Sequence, residues 1–180
     1  MTAQTLRAST TPRWGIPAWG GFPTKLKRPM GFLIHIGYQL PRRGLPAASR
    51  LSAWVEAGLR GAKKRYGEVS VLLVDAEQGR EFNLRYRGRD YATNVLSFPV
   101  SGMPGPKSGL LGDLVICAPV VAEEARRQGK PIKDHYAHLC IHGSLHLIGY
   151  DHQDPVSAQR MEALETRILS RLGIADPYQV

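Results

Sequence analysis

The sequence has little cysteine and no long hydrophobic run, and each absence excludes a class of protein. Only two cysteines, Cys117 and Cys140, occur in 180 residues, which is too few for a disulfide-stapled secreted scaffold. Neither belongs to a paired Cys-x-x-Cys zinc motif, and both lie among apolar residues, so we expect reduced, buried thiols in a cytoplasmic protein. No segment approaches the roughly 18 consecutive apolar residues of a membrane span. The composition, with 43% hydrophobic residues, is that of a globular protein.

Acidic residues are missing from the first 55 positions, which contain eight of the 24 lysines and arginines. The rest of the chain holds 16 basic and 15 acidic residues, so the formal net charge of +9 is mostly N-terminal. Residues 1–29 predict a flexible basic extension, followed by a single domain over residues 30–180. The extension is either an RNA-contacting arm with Trp14 and Trp19 for base stacking, a transit-like segment, or a segment that is not translated. We favour a disordered tail or a translation start at Met30.

Histidines are concentrated near the C-terminal end, where five of the six lie between residues 135 and 152. Three of them, His142, His146 and His152, follow the pattern H-x3-H-x2-G-x2-H. On a helix, residues four apart share a face, and Gly149 tolerates the left-handed conformation that ends a helix and lets the chain turn back. Three imidazoles with a fourth position open are the usual ligand set of a catalytic zinc. The pattern therefore predicts one Zn²⁺ per chain.

The same spacing occurs in the metzincin peptidases, whose motif is H-E-x-x-H-x-x-G-x-x-H. These enzymes need the glutamate after the first histidine as general base, and here that position is Gly143. Three neutral imidazoles also leave the double positive charge of a metal uncompensated, which favours an anionic substrate such as a phosphodiester. A metallopeptidase is therefore the alternative, and hydrolysis of a phosphodiester is the first hypothesis.

The segment H-G-S-L-H-L-I-G-Y-D-H at residues 142–152 resembles the signature of the YbeY-type endoribonucleases, bacterial enzymes of ribosomal RNA maturation. Residues 83–99, 111–117 and 161–165 resemble further blocks of this family, so that the resemblance covers about residues 31–178. Ala92 departs from it, because relatives often carry proline before the Thr-Asn pair. This departure concerns the local turn.

The resemblance implies a metal-dependent endoribonuclease that is specific for single-stranded RNA. Its expected partners are ribosomal RNA precursors and the small ribosomal subunit, with a role in 16S rRNA 3′ end maturation and in ribosome biogenesis and quality control. Neither DNA nor a membrane is expected as a partner. The third hypothesis is a non-catalytic ribosome-assembly factor in which zinc only stabilises the fold.

Two further residues are candidates for catalysis. The resemblance implies that Arg87 stabilises charge developing on the phosphate, because a guanidinium grips two oxygens and stays charged. The other interpretation is a surface ion pair between Arg87 and Asp90. Asp151 is expected to orient an imidazole or a water molecule, or to accept a proton. The nucleophile is either a metal-bound water, whose pKa can fall from about 15.7 to about 7, or the 2′-hydroxyl of the RNA.

The remaining histidines of the cluster, His135 and His138, point within about 60° of His142 on a helix of 100° per residue. We expect them to support the ligands or to face the substrate. Asp134 is the expected N-cap of the metal helix. Because the ligands must be neutral, metal affinity should fall below roughly pH 6.

Hydrophobic periodicity predicts a mixed α/β fold, with helices packed against a sheet. The resemblance implies a small, four-stranded, mostly parallel sheet with one antiparallel strand and a zincin-like metal helix. Trp54 is predicted in the core and His35 on the surface. Residues 100–109 are predicted to form an exposed loop beside the cleft. The predicted strands are residues 32–38, 69–74, 95–98 and 111–117, and the predicted helices begin near residues 51, 119, 134 and 157, with Met161, Leu164, Ile168 and Leu172 packing in the last.

Overall fold

A computed structural model describes residues 31–100 and 109–179. The predicted extension of residues 1–29 and loop residues 101–108 lie outside this range. The described chain contains four strands and five helices in a mixed order. They are β1 (Phe32–Tyr38), α1 (Ala48–Gly61), β2 (Gly67–Val74), α2 (Ala76–Arg87), β3 (Val95–Pro99), β4 (Leu110–Cys117), α3 (Ala118–Arg127), α4 (Ile132–Leu147) and α5 (Pro155–Arg171).

The four strands form one sheet in the order β1-β2-β4-β3. The β1/β2 and β2/β4 pairs are parallel, and β3 pairs antiparallel with β4. A loop is enough to connect an antiparallel pair, whereas each parallel connection needs a crossover, here provided by helices α1 and α2. The predicted fold class and the single antiparallel strand are confirmed.

Both faces of the sheet are apolar, because the central strands are buried on both sides. On one face, Val71, Leu114 and Ile116 join α1, α4 and α5 in the larger core cluster, which also contains the predicted Trp54. On the opposite face, a smaller cluster that includes Val115 packs against α2 through Phe82. Helices α2 and α4 therefore lie on different faces of the sheet. Arg87, at the end of α2, is thus on the opposite face from the histidines of α4.

Helix α4 occupies the centre of the larger cluster, and ten of its 16 residues are buried. It packs tightly against α1 at Gly58, where an added Cβ would lie 2.1 Å from the Oγ of Ser144 and 3.2 Å from the Cα of Ile141. Such a contact is possible only for glycine, and it brings the two helix backbones close together. The helix that carries His142 and His146 is thereby held rigidly against the sheet and α1.

Three predictions about helix ends are wrong in detail. Helix α4 begins after Pro131, and Asp134 lies inside its first turn, because the Asp134 N–H already donates to the Pro131 carbonyl. In that position its carboxylate is favourable to the helix dipole without capping the helix. Helix α5 begins before Ser157, because Asp154 accepts the N–H groups of residues 156 and 157. Leu172 follows the end of α5 and is 43% exposed, so it does not pack in the core.

Within residues 31–100 and 109–179, no helix is both long and apolar enough to cross a membrane. Both cysteines are buried and free, as expected. His35 is exposed on β1 and contacts Glu68 at 3.0 Å, which agrees with its predicted place on the surface.

Candidate metal centre

The end of helix α4 brings three imidazoles together. His142 and His146 stand one turn apart, and their Nε2 atoms are separated by 3.1 Å. The helix ends at Leu147, and Gly149 adopts a φ of +93°, which turns the chain back as the glycine predicted. The ring of His152 then lies 5.0 Å from that of His146 and 5.6 Å from that of His142, measured between centroids. One nitrogen from each ring lies within 4.8 Å of the others.

The hydrogen bonds of the two helical histidines determine which nitrogen remains free. The Nδ1 of His146 lies 2.9 Å from the carbonyl oxygen of Tyr150, and the Nδ1 of His142 lies 2.9 Å from a carboxylate oxygen of Glu165. Both partners accept hydrogen bonds, so each Nδ1 carries a proton and each Nε2 has a free lone pair. This is the usual way in which outer partners orient metal-binding histidines.

This arrangement fits a bound metal. Two nitrogen lone pairs 3.1 Å apart repel each other unless a proton or a cation lies between them. Tetrahedral zinc with bonds of 2.0–2.1 Å would separate two ligand nitrogens by about 3.3 Å, close to the observed distance. His152 is exposed whereas His142 and His146 are partly buried, so the group opens to solvent on the side of His152.

The environment of His146 keeps its imidazole neutral. Burial lowers the pKa of His146 to about 4, and the neighbouring rings of His142 and His152 lower it further in the same direction. At neutral pH this ring therefore presents a lone pair without first losing a proton. The prediction that metal affinity falls below roughly pH 6 assumed an unperturbed imidazole pKa. At His146, protons would compete with a metal only at lower pH.

Glu165 of helix α5 is the residue that sequence reasoning missed. Its side chain is fully buried, and its carboxylate contacts the Nδ1 of His142 at 2.9 Å, the Nε2 of His138 at 3.0 Å and the hydroxyl of Tyr178. Burial raises the pKa of Glu165, but hydrogen bonds from His138 and His142 outweigh it and bring the value to about 2. The carboxylate is therefore ionised, and one negative charge lies a single ring away from the metal position.

A signal for Glu165 existed in the sequence. The apolar stripe of helix α5 runs through Met161, Leu164 and Ile168, and position 165 falls on the same stripe. A glutamate there must be buried, and a buried carboxylate needs hydrogen-bond donors. The expectation of an uncompensated double positive charge is corrected accordingly, because Glu165 offsets one unit of it.

A second group of possible ligands consists of His138, His142 and Glu165. Both oxygens of Glu165 already accept hydrogen bonds, and the Nε2 of His138 is used in one of them. His142, His146 and His152 are therefore the group whose nitrogens remain available to a metal. His138 supports this set by donating to the carboxylate that orients His142.

His135 has its ring centroid 6.3 Å from that of His138 but has a hydrogen-bond partner of its own. It is only 6% exposed, and its Nε2 lies 2.8 Å from a carboxylate oxygen of Glu124, which also accepts from the amide of Asn94. Burial lowers the pKa of His135, while the Glu124 carboxylate acts in the opposite direction. Its direct partner is thus Glu124, which connects α3 to the start of β3.

The structure does not bring the two predicted catalytic residues into hydrogen-bond contact with the three imidazoles within the described range. The carboxylate of Asp151 accepts the backbone N–H of His152 at 2.7 Å and so stabilises the turn that carries this ligand. Arg87 is exposed at the end of α2, on the opposite face of the sheet from α4. Its expected ion-pair partner Asp90 is bound by Arg80 instead, at 2.6 Å and 2.8 Å.

A cavity of about 610 Å³ borders the loop that precedes His152. Its wall includes Tyr150 and Asp151 on the loop side, and Arg160 and Arg167 on the α5 side. Both arginines are exposed, and neither forms an ion pair with any described residue. The cavity therefore presents two free guanidinium groups beside the metal-binding loop.

The fold also restricts what can occupy position 143. Gly143 is buried, and an added Cβ would lie 2.8 Å from a methyl group of Leu114, a fully buried residue of the sheet. A glutamate after the first histidine would have to displace this side chain. The packing of α4 on the sheet therefore favours a small residue at position 143.

Fold and site together define a mixed α/β protein in which a buried helix and the turn after it bring together three histidines that could hold one metal. The profile of the family described as Endoribonuclease YbeY matches residues 46–173, and the chain belongs to this family. It is 55% identical over 154 residues to the Endoribonuclease YbeY of Stenotrophomonas maltophilia (strain R551-3), which covers 83% of this chain and 95% of that protein. It is 53% identical over 156 residues to that of Xanthomonas axonopodis pv. citri (strain 306), covering 84% and 96%.

A solved structure shares the fold. The solution structure of TM1509 from Thermotoga maritima superposes with a TM-score of 0.52 at 24% sequence identity and covers 82% of this chain and all of that one. At this level of sequence identity, the similarity between the two structures shows a shared fold and nothing further.

Proposed function

We propose that this protein is a zinc-dependent endoribonuclease that cuts single-stranded regions of ribosomal RNA precursors in the cytoplasm. The observation that carries the proposal is the set of three imidazoles with converging nitrogens in a member of an endoribonuclease family. The expected partners are the RNA precursors and the small ribosomal subunit.

His142, His146 and His152 would hold the metal, and the chemistry of the set suits Zn²⁺. A bound divalent cation supplies Lewis acidity for a phosphoryl oxygen and for activation of a nucleophile at neutral pH. Glu165 holds the proton of His142 on Nδ1, and the Tyr150 carbonyl does the same for His146. The protein thus orients two of the three imidazoles through their Nδ1 atoms.

The cavity beside the loop is the proposed path of the RNA backbone. Arg160 and Arg167 lie seven residues apart on α5, about 10 Å along the helix axis. That distance suits two phosphates that are not adjacent, each of which a guanidinium can bind through two hydrogen bonds. Asp151, on the opposite wall, is the proposed acceptor for a proton or for a hydroxyl of the substrate.

Arg87 remains a proposed stabiliser of developing negative charge. This role comes from its tyrosine-arginine pair, which resembles that of the family. Its guanidinium is exposed and without an ion pair among the described residues, so it is available to a phosphate. A peptidase with the same ligand spacing is disfavoured, because Gly143 stands where the general base would be and has no side chain.

The test combines metal analysis with two substrates. Purified protein is assayed for zinc per chain and is then incubated with single-stranded RNA, double-stranded RNA and casein. We expect one zinc per chain, cleavage of single-stranded RNA, and loss of both zinc and cleavage in His142→Ala. Arg87→Ala should lose cleavage but keep zinc, while Arg85→Ala, which removes the same charge from the same turn of α2, should remain active.

The variants also control for a contaminating ribonuclease, because cleavage that survives His142→Ala does not come from this site. Weaker RNA binding in Arg160→Ala and Arg167→Ala, but not in Arg171→Ala on the same helix, would support the proposed RNA path. Cleavage of casein would favour the peptidase. A folded, zinc-loaded protein that cuts neither substrate would favour the non-catalytic assembly factor.

A further inference from the structure

The residues after helix α5 fold back along this helix and reach the metal centre. Residues 174–179, here called the C-terminal strap, are held to α5 and to the loop before α4 by hydrogen bonds, and Asp176 also forms one within the strap. Lys130 Nζ donates to the carbonyl of Pro177 at 2.7 Å. The carboxylate of Asp176 accepts the hydroxyl of Thr166 at 3.1 Å and the backbone N–H of Tyr178 at 3.0 Å. The strap follows the segment that the family profile matches, which ends at residue 173.

Tyr178 is the residue of the strap that contacts Glu165 and His138. Its hydroxyl donates to the Oε2 atom of Glu165, the oxygen that His138 also contacts. Its ring packs edge-on against the ring of His138, with centroids 5.5 Å apart. Burial raises the pKa of Tyr178, and the adjacent carboxylate adds to the increase, so the phenol keeps its proton and remains a donor.

We propose that Tyr178 is a positioning residue of the metal centre, which acts on His142 through Glu165. This inference rests on the proposed metal centre. With Oε2 held by Tyr178 and His138, the other oxygen of Glu165 is directed at the Nδ1 of His142. The free nitrogen of His142 is thereby aimed at the metal position.

The strap also contributes to the cover of the carboxylate. Glu165 is fully buried, and Tyr178, whose hydroxyl contacts it, is 41% exposed. Removing only the hydroxyl keeps this cover and takes away one of three donors. Loss of an outer hydrogen-bond partner costs about 10- to 100-fold in metal affinity. Because two donors remain, we expect a smaller loss, roughly three- to tenfold.

The test uses the full chain with two matched substitutions. Tyr178→Phe removes the hydroxyl at the strap, and Tyr91→Phe removes a hydroxyl that contacts only Arg89, far from the histidines in sequence. Zinc affinity is measured by competition with a chromogenic chelator, and stability is measured by urea unfolding of the metal-free protein. The Nδ1 proton of His142 is followed by NMR in the metal-free protein.

We expect Tyr178→Phe to bind zinc three- to tenfold more weakly than the wild type and to shift or broaden the Nδ1 proton signal of His142. Tyr91→Phe should match the wild type in both. Unchanged affinity and an unchanged signal in Tyr178→Phe would overturn the inference, as would equal weakening in both variants. If the wild type binds no zinc, the proposed function fails, and the NMR signal still decides whether Tyr178 positions His142.

Discussion

Replacing Glu165 with glutamine tests the network around the metal centre most directly. The carboxylate accepts hydrogen bonds from three groups, the Nδ1 of His142, the Nε2 of His138 and the Tyr178 hydroxyl. A glutamine of the same shape has one acceptor oxygen, and its amide nitrogen is a donor. At least one of the three donors would therefore face another donor.

The size of the effect differs between the metal-free and the zinc-loaded protein. A hydrogen bond to a charged group contributes about 1.5–3 kcal/mol. In the metal-free protein this loss is partly offset, because a buried charge no longer has to be kept away from water. In the zinc-loaded protein the negative charge of Glu165 would also attract the cation, so its removal should cost more there. We expect zinc affinity to fall by about 10- to 100-fold, equivalent to roughly 1.4–2.8 kcal/mol of zinc-dependent stability.

The measurement is urea unfolding with and without zinc, together with chelator competition. Glu81→Gln is the matched control, because Glu81 is exposed on α2, on the opposite face of the sheet from the histidines of α4. We expect its zinc affinity to equal that of the wild type. A wild-type affinity in Glu165→Gln would refute the reasoning that this carboxylate orients His142.

Three other outcomes follow from the structure. Gly58→Ala should destabilise the protein by about 1–3 kcal/mol in urea unfolding, since its Cβ would meet Ser144 at 2.1 Å, and Ser144→Ala in the same chain should recover part of the loss. Gly143→Glu should lower stability and yield no casein cleavage, because Leu114 fills the space. The metal-free protein should lose stability as the pH falls from about 6.5 towards 4, by up to roughly 1 kcal/mol per pH unit in urea unfolding. The sign follows because unfolded His146 takes up a proton near pH 6.5 whereas the folded ring does so only at about 4.

Each of these outcomes can fail in a definite way. An unchanged urea midpoint in Gly58→Ala would mean that α1 and α4 separate without cost. Casein cleavage by Gly143→Glu would show that the packing tolerates a general base there. A midpoint that does not change between pH 7 and pH 5 would show that His146 is no harder to protonate in the folded protein than in the unfolded chain.

The parts of the site that depend only on residues close together in the chain could be predicted from the sequence. The four-residue spacing of His142 and His146 places them on one helix face, and Gly149 permits the turn that returns His152 to them. The strands were predicted to within about two residues, because alternation and apolar runs are local features of the chain. The cap at Asp154 was missed, since Ser157 carried a similar signal three residues later.

What the order of the residues determined by itself is the local chemistry: a helix with two histidines on one face, a glycine that ends it, and the absence of a base at Gly143. Only the tertiary structure decided that Glu165, 23 residues away, meets the Nδ1 of His142, that Tyr178 holds it there, and that Arg87 begins on the other face of the sheet. The physical reason is that spacing along a helix is set by the backbone, whereas contacts between helices depend on how all the apolar faces pack at once.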